Sequence, residues 1–234
     1  MQTVAILNSK GGSGKTTVSI NLASYFAETG QNTVLIDYDS QGSSTHWVDT
    51  RDKAQPLIHC IPAFRQPVAQ TRSFQMKLPS GTERVIIDTP ASVTQSHLEN
   101  IVKRADFIII PVLPSSIDIH AVTGFIEQLH RLKQINWRDT ELAVVASRVK
   151  ENTKIFATLE QYLKNLDIPF VAKIRDTQNY IHSTNEGKGL FEVLPQHKVA
   201  RDKFDWYPLI NWIEKKEIFT ELDHDKTETL VQAV

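Results

Sequence analysis

The ten residues Asn8–Thr17, "NSKGGSGKTT", constrain this chain more than any other stretch. Val4, Ala5, Ile6 and Leu7 lead into them, and Val18, Leu22, Tyr25 and Phe26 follow at helical spacing. A strand, a glycine-rich turn and a Lys-Thr pair at a helix start form the setting of a phosphate-binding loop, G-x-x-x-x-G-K-[ST]. Gly11, Gly12 and Gly14 let backbone N–H groups approach phosphate oxygens without Cβ collisions. The helix turns its positive end toward the same anion. Lys15 supplies a point charge, and Thr16 offers a hydroxyl to Mg²⁺, which prefers oxygen ligands. Ser13 and Thr17 complete the cradle. The spelling nevertheless departs from the pattern. Counting back five from Gly14 reaches Ser9 in place of glycine, and a second lysine, Lys10, stands beside it.

Short apolar runs recur at Thr3–Leu7, Thr33–Asp37, Arg84–Asp88, Phe107–Val112, Leu142–Ser147 and Phe170–Ile174. Stretches such as "VIID" and "FIIIPV" suit strands buried on both faces of a parallel sheet. Helical patterns lie between them, at Gly14–Glu28, Ser96–Ala105, Ile117–Gln134, Lys154–Asn165 and Arg201–Lys215. The expected fold class is therefore α/β, a mostly parallel twisted sheet with helices on both faces. Residues 1–219 read as one domain and 220–234 as a polar, acidic tail. Gln55 to Gly81 is less regular and carries Pro56, Pro62, Pro67 and Pro79.

Composition narrows the function. No apolar run approaches the ~20 residues a bilayer span needs, and no basic-then-apolar leader opens the chain. Cys60 is the single cysteine, which leaves no disulfide framework and no thiolate cage. A cytoplasmic protein is expected. The formal net charge is −1, so nucleic-acid binding requires a local patch.

"KGGSGKTT" resembles the deviant Walker A motif of the ParA/MinD ATPase family, and two landmarks agree with it. "LIDYDSQGSST" is similar to that family's D-x-D-x-Q segment, and "RVIIDTPAS" to its Walker B strand with a following D-x-P. The later "IRDTQNYIHSTNEGKGLFE" resembles a ParA region, with Thr184 at the small-residue position. The resemblance implies a P-loop NTPase-type fold, ATP and Mg²⁺ as ligands, and an ATP-driven homodimer. Lys10 would cross the interface to the partner's phosphates. Lys10, Lys15 and Asp39 would then be the catalytic set, with Asp39 orienting the attacking water. Thr16, Asp37 and Asp88 would serve the metal. The adenine is expected near Ser147–Arg148 and Leu194–His197.

Within that family, one cysteine excludes a cluster-bearing iron protein. The acidic tail argues against a membrane helix, so no membrane partner is expected. The ParA branch remains. It implies non-specific DNA binding at the nucleoid and a ParB-like or other cargo adaptor. Arg175, Lys198, Arg201 and Lys203 are the expected phosphate contacts, followed by Lys215 and Lys216. With no segment before the first strand, the small type without a helix-turn-helix domain is expected. An ATP-dependent small-molecule synthetase or amidotransferase and a MinD-like membrane-associated ATPase stay open as alternatives.

Overall fold

The computed structural model describes residues 1–65, 77–132 and 140–215. The expected acidic tail and Lys216 lie outside them. Along the chain run β1 (Gln2–Ile6), α1 (Lys15–Glu28), β2 (Thr33–Asp37), α2 (Ser43–Thr50), β3 (Ile58–Pro62), β4 (Arg84–Asp88) and α3 (Gln95–Val102). Next come β5 (Phe107–Val112), α4 (Ser116–His130), β6 (Glu141–Val149), α5 (Lys154–Lys164), β7 (Phe170–Arg175), α6 (Asn179–Asn185), α7 (Ala200–Phe204) and α8 (Tyr207–Glu214).

The strands form one seven-stranded sheet in the order β3-β2-β4-β1-β5-β6-β7. Every pair in it is parallel. The α/β architecture expected from the alternating pattern is therefore present. Successive side chains point to opposite faces of a strand, and the core divides accordingly. Ala5, Leu7, Ile36, Ile87 and Ile108 pack with α3, α4 and α5 on one side. Val4, Ile6, Leu35, Ile86 and Ile109 pack with α1, α2 and α8 on the other. Burial on both faces is why these strands are continuous apolar runs.

Two expectations are corrected. The irregular segment after Gln55 contains β3, an edge strand whose residues are mostly half-exposed. The single helix expected over Arg201–Lys215 is two, α7 and α8. Pro208 lacks a backbone N–H and fits only the first turn of a helix, so the chain restarts there. α2 and α6 are further helices that the periodicity did not reveal.

A parallel sheet gathers the carboxyl ends of its strands along one edge, and ligands bind where connections leave in opposite directions. Here that point flanks β1, whose neighbours are β4 and β5. The glycine-rich stretch lies at this edge.

Candidate phosphate-binding site

The loop between β1 and α1 is held by its own polar groups. Asn8 is buried, and its amide nitrogen donates to the Pro111 carbonyl at 2.7 Å. The Asn8 side-chain oxygen accepts the Lys10 N–H at 2.9 Å. The Lys10 carbonyl accepts from Lys15 Nζ at 2.9 Å and from the buried Ser13 hydroxyl at 3.2 Å. The Lys10 peptide is thus pinned on both sides while the residue itself stays half-exposed. Gly12 and Gly14 adopt φ of 74° and 96°. Gly14 heads α1, and a Cβ there would lie 2.5 Å from the Ser147 hydroxyl of β6. Two separate reasons therefore require glycine at this position.

Lys15 is buried, and burial lowers its pKa against the opposing pull of Asp88 and Asp39. An ammonium drawn out of water beside an open glycine cradle is arranged for an anion. Thr16 and Thr17 start α1 and remain partly exposed.

Asp88 ends β4 and is 1 % exposed. Ser19 donates to one of its oxygens at 3.1 Å, and Ser44 and Thr16 also donate to the carboxylate. Burial pushes its pKa up to about 6, with Asp37 adding to the rise and the hydroxyls working against it. The cause is desolvation without a full counter-charge, which a divalent cation would relieve. Hard oxygen donors at Thr16 and Asp88 beside the cradle fit Mg²⁺.

Asp37 is fully buried and its two oxygens are taken by protein donors. Oδ1 accepts the Asp39 N–H at 3.0 Å, and Oδ2 accepts the Thr45 N–H and hydroxyl at 2.9 and 2.8 Å. This suits a residue that shapes the loop and supports a metal shell from behind. Asp39 is half-buried, accepts the Gln41 N–H at 2.9 Å and lies within electrostatic reach of Lys15. Ser19, Ser44 and Thr45 were missed by sequence reasoning. Their contacts cross between elements, and no spacing in the chain signals them. A cavity of about 310 Å³ opens beside the loop, lined in part by Asn8, Ser9, Thr89 and Gln128.

The sheet thus brings Lys10–Thr17, Asp37, Asp39 and Asp88 together. Ser147 joins them through Gly14, while Leu194, Gln196 and His197 are exposed. The expected phosphate contacts divide. Arg175 is spent inside the protein, paired with Asp202 at 3.1 Å and Asp205 at 2.8 Å with a side chain only 16 % exposed. Lys203 is buried, donates to the Phe191 carbonyl at 3.0 Å and lies over the Phe191 ring. Both cations are thus engaged inside the protein, Arg175 by two carboxylates and Lys203 by a backbone carbonyl. Lys198 and Arg201 are exposed. Lys215 pairs with Glu141 at 3.0 Å.

The family model described as the CobQ/CobB/MinD/ParA nucleotide binding domain matches residues 4–191. The chain is 28% identical over 211 residues to maintenance of carboxysome distribution protein A of Halothiobacillus neapolitanus, covering 87% of this chain and 93% of that protein. It is 27% identical over 187 residues to the chromosome-partitioning ATPase Soj of Thermus thermophilus, covering 69% and 75%. Among solved structures, an ATP complex of McdA from Cyanothece superposes with a TM-score of 0.69 at 17% identity, covering 94% of this chain and 99% of that one.

Proposed function

The chain belongs to the CobQ/CobB/MinD/ParA nucleotide-binding family, and from that premise we propose that it is a ParA-type positioning ATPase. It binds ATP with Mg²⁺, dimerises around the nucleotide, binds DNA without sequence preference, and releases both on hydrolysis. Residues 1–219 act as one domain. The relatives named for carboxysome distribution and for chromosome partitioning support the class and leave the cargo open.

Phosphoryl transfer asks a protein for positioning and charge neutralisation more than for covalent chemistry. The backbone of Gly11–Thr17 and the Lys15 ammonium bind the phosphates. Thr16 and Asp88 would hold Mg²⁺, with Asp37 behind them, and the bound ion would supply charge neutralisation. Asp39 orients the attacking water. Lys10 reaches the phosphates of a second copy, so ATP becomes part of the dimer interface. An adaptor of the ParB kind stimulates turnover, and the ATP-bound form is nucleoid-associated in the cytoplasm.

The single observation that carries this reading is the pinned Lys10 peptide. Its N–H and carbonyl are fixed by Asn8, Ser13 and Lys15, while the residue remains half-exposed beside the cradle. Sedimentation with Mg²⁺-ATP tests it. The wild type dimerises and Lys10→Ala stays monomeric while still binding nucleotide. A dimer as strong in Lys10→Ala as in wild type removes the proposed switch.

A further inference from the structure

The end of β6 departs from regular strand geometry. Its pairing with β7 slips between Ala146 and Val149, and Arg148, inside the slip, has a φ of 53°. A non-glycine residue in the left-handed region is costly and is retained where the surroundings over-determine it. Here the residue before it, Ser147, is buried against Gly14 of the phosphate loop, and Val149 is buried in the core. Arg148 between them is exposed. The bulge therefore turns an arginine out to solvent one residue from the head of α1.

Three loops converge beside it. After β6 come Lys150 and then Lys154, which opens α5. The Thr153 hydroxyl donates to the Lys150 carbonyl at 2.7 Å and caps the Phe156 N–H at 3.3 Å, so this turn is compact. Asp176, after β7, donates its N–H to the Val149 carbonyl at 3.0 Å, and its carboxylate is 3.7 Å from Lys150. Arg201 of α7 lies 3.5 Å from Glu151. Asn179 donates to the Lys198 carbonyl at 3.3 Å, which ties the third loop to α6. Lys150 and Arg201, each paired with an acid of a neighbouring segment, mark one rim, and the exposed Arg148, Lys154 and Lys198 lie within four residues of them along the chain. The Lys150 and Arg201 side chains are 72% and 79% exposed. Long ion pairs this exposed contribute little and yield readily to a phosphate.

We propose that this rim, with Arg148, Lys150 and Lys154 of the β6–α5 loop as its unforeseen half, is the surface that takes the phosphate backbone of duplex DNA. The inference rests on the DNA-binding reading above. It moves the contact away from Arg175 and Lys203 and places it next to the strand end that seats the phosphate loop. Two protomers joined by ATP present two such rims, so dimerisation raises avidity with no further change of shape.

The test is duplex binding by fluorescence anisotropy with Mg²⁺-ATP across a salt series, using the full chain. Wild type and Lys150→Glu/Lys154→Glu are compared, with dimerisation and basal ATPase measured in parallel. The expected result is a loss of affinity of ~10-fold or more and a shallower salt slope, with dimerisation and ATPase unchanged. Affinity and slope equal to wild type overturn the rim while leaving the DNA reading standing. No duplex binding by wild type in the ATP-bound dimer overturns both, as does binding to phosphatidylglycerol vesicles in place of duplex. Arg148→Gly guards against a folding artefact, because it relieves backbone strain. It is expected to melt higher and bind duplex more weakly, and a higher melting point with unchanged binding removes Arg148 from the rim.

Discussion

Asp37 and Asp88 are register partners on the adjacent parallel strands β2 and β4, so two carboxylates stand side by side at the carboxyl ends of buried strands. Each is satisfied differently. Asp37 takes three donors from its own loop and from α2. Asp88 is surrounded by hydroxyls that only partly offset its desolvation. That difference separates a carboxylate held by protein donors from one whose burial is only partly offset.

Replacing Asp88 removes a pH-dependent cost. The folded protein raises this carboxyl from 3.8 to about 6, so it favours the protonated form. As pH rises from about 4 to about 6 the unfolded chain ionises first and stability falls. The shift corresponds to an upper bound of about 3 kcal/mol. Without nucleotide or Mg²⁺, Asp88→Asn is expected to melt higher than wild type at pH 7.5, with the difference shrinking toward pH 4. Thermal melts across that range check it, and Asp88→Asn also loses the stabilisation that Mg²⁺-ATP gives wild type. A constant difference at every pH contradicts the assignment.

Gly14 offers a steric test. Gly14→Ala places a methyl against the Ser147 hydroxyl and forces alanine to a φ of 96°. It is expected to lose about 1–3 kcal/mol of stability and most nucleotide affinity. Adding Ser147→Ala removes the clash but leaves the dihedral strain, so rescue in denaturant unfolding is partial. Full rescue would show that sterics alone demanded glycine.

The sequence made these strands legible and left their polar neighbours hidden. The bounds of β2, β4 and β5 match expectation residue for residue, because strands buried on both faces are written as unbroken apolar runs. β3 escaped because an edge strand needs less apolar character, and Pro62 at its end suggests a turn. The phosphate loop was legible because its chemistry is local: strand, glycines, Lys-Thr and helix are contiguous. Ser44 and Ser19 reach Asp88 across 44 and 69 residues, and contacts of that range carry no periodicity. Arg175 and Lys203 look like surface cations in a mixed-charge stretch. Only tertiary structure shows that Asp202, Asp205 and the Phe191 carbonyl already hold them.

A buried ion pair ties the far end of α2 to the segment after α6. Arg51 and Glu192 meet at 2.6 Å with side chains 6% and 3% exposed. Arg51 also donates to the Gly187 and Pro56 carbonyls, and Glu192 accepts the Gly189 N–H. Removing one partner strands the other without water, at a cost of about 3–5 kcal/mol. Arg51→Ala and Glu192→Ala are each expected to lose about that much in urea unfolding, and the double variant far less than their sum. Additive losses would show that the two residues act independently.

The two aspartates flanking Tyr38 are expected to separate stability from turnover. Asp37 is fully buried and holds the N–H groups of Asp39 and Thr45 and the Thr45 hydroxyl, so Asp37→Ala leaves three donors without that acceptor. At about 1–3 kcal/mol for each unsatisfied group, it destabilises the fold and disorganises the start of α2, where Ser44 reaches Asp88. Asp39 is half-buried, and among the described residues its side chain accepts a hydrogen bond from the local turn at Gln41. Asp39→Ala is therefore expected to melt within ~1 kcal/mol of wild type, bind ATP and dimerise. As the residue proposed to orient water, its loss lowers single-turnover hydrolysis by ~100-fold or more. The pair is decisive because the same experiment reads both. If Asp39→Ala hydrolyses at the wild-type rate while its fold and dimer are intact, the water is oriented elsewhere. If Asp37→Ala is as stable as wild type, the hydrogen bonds that distinguish the two carboxylates do not govern this loop.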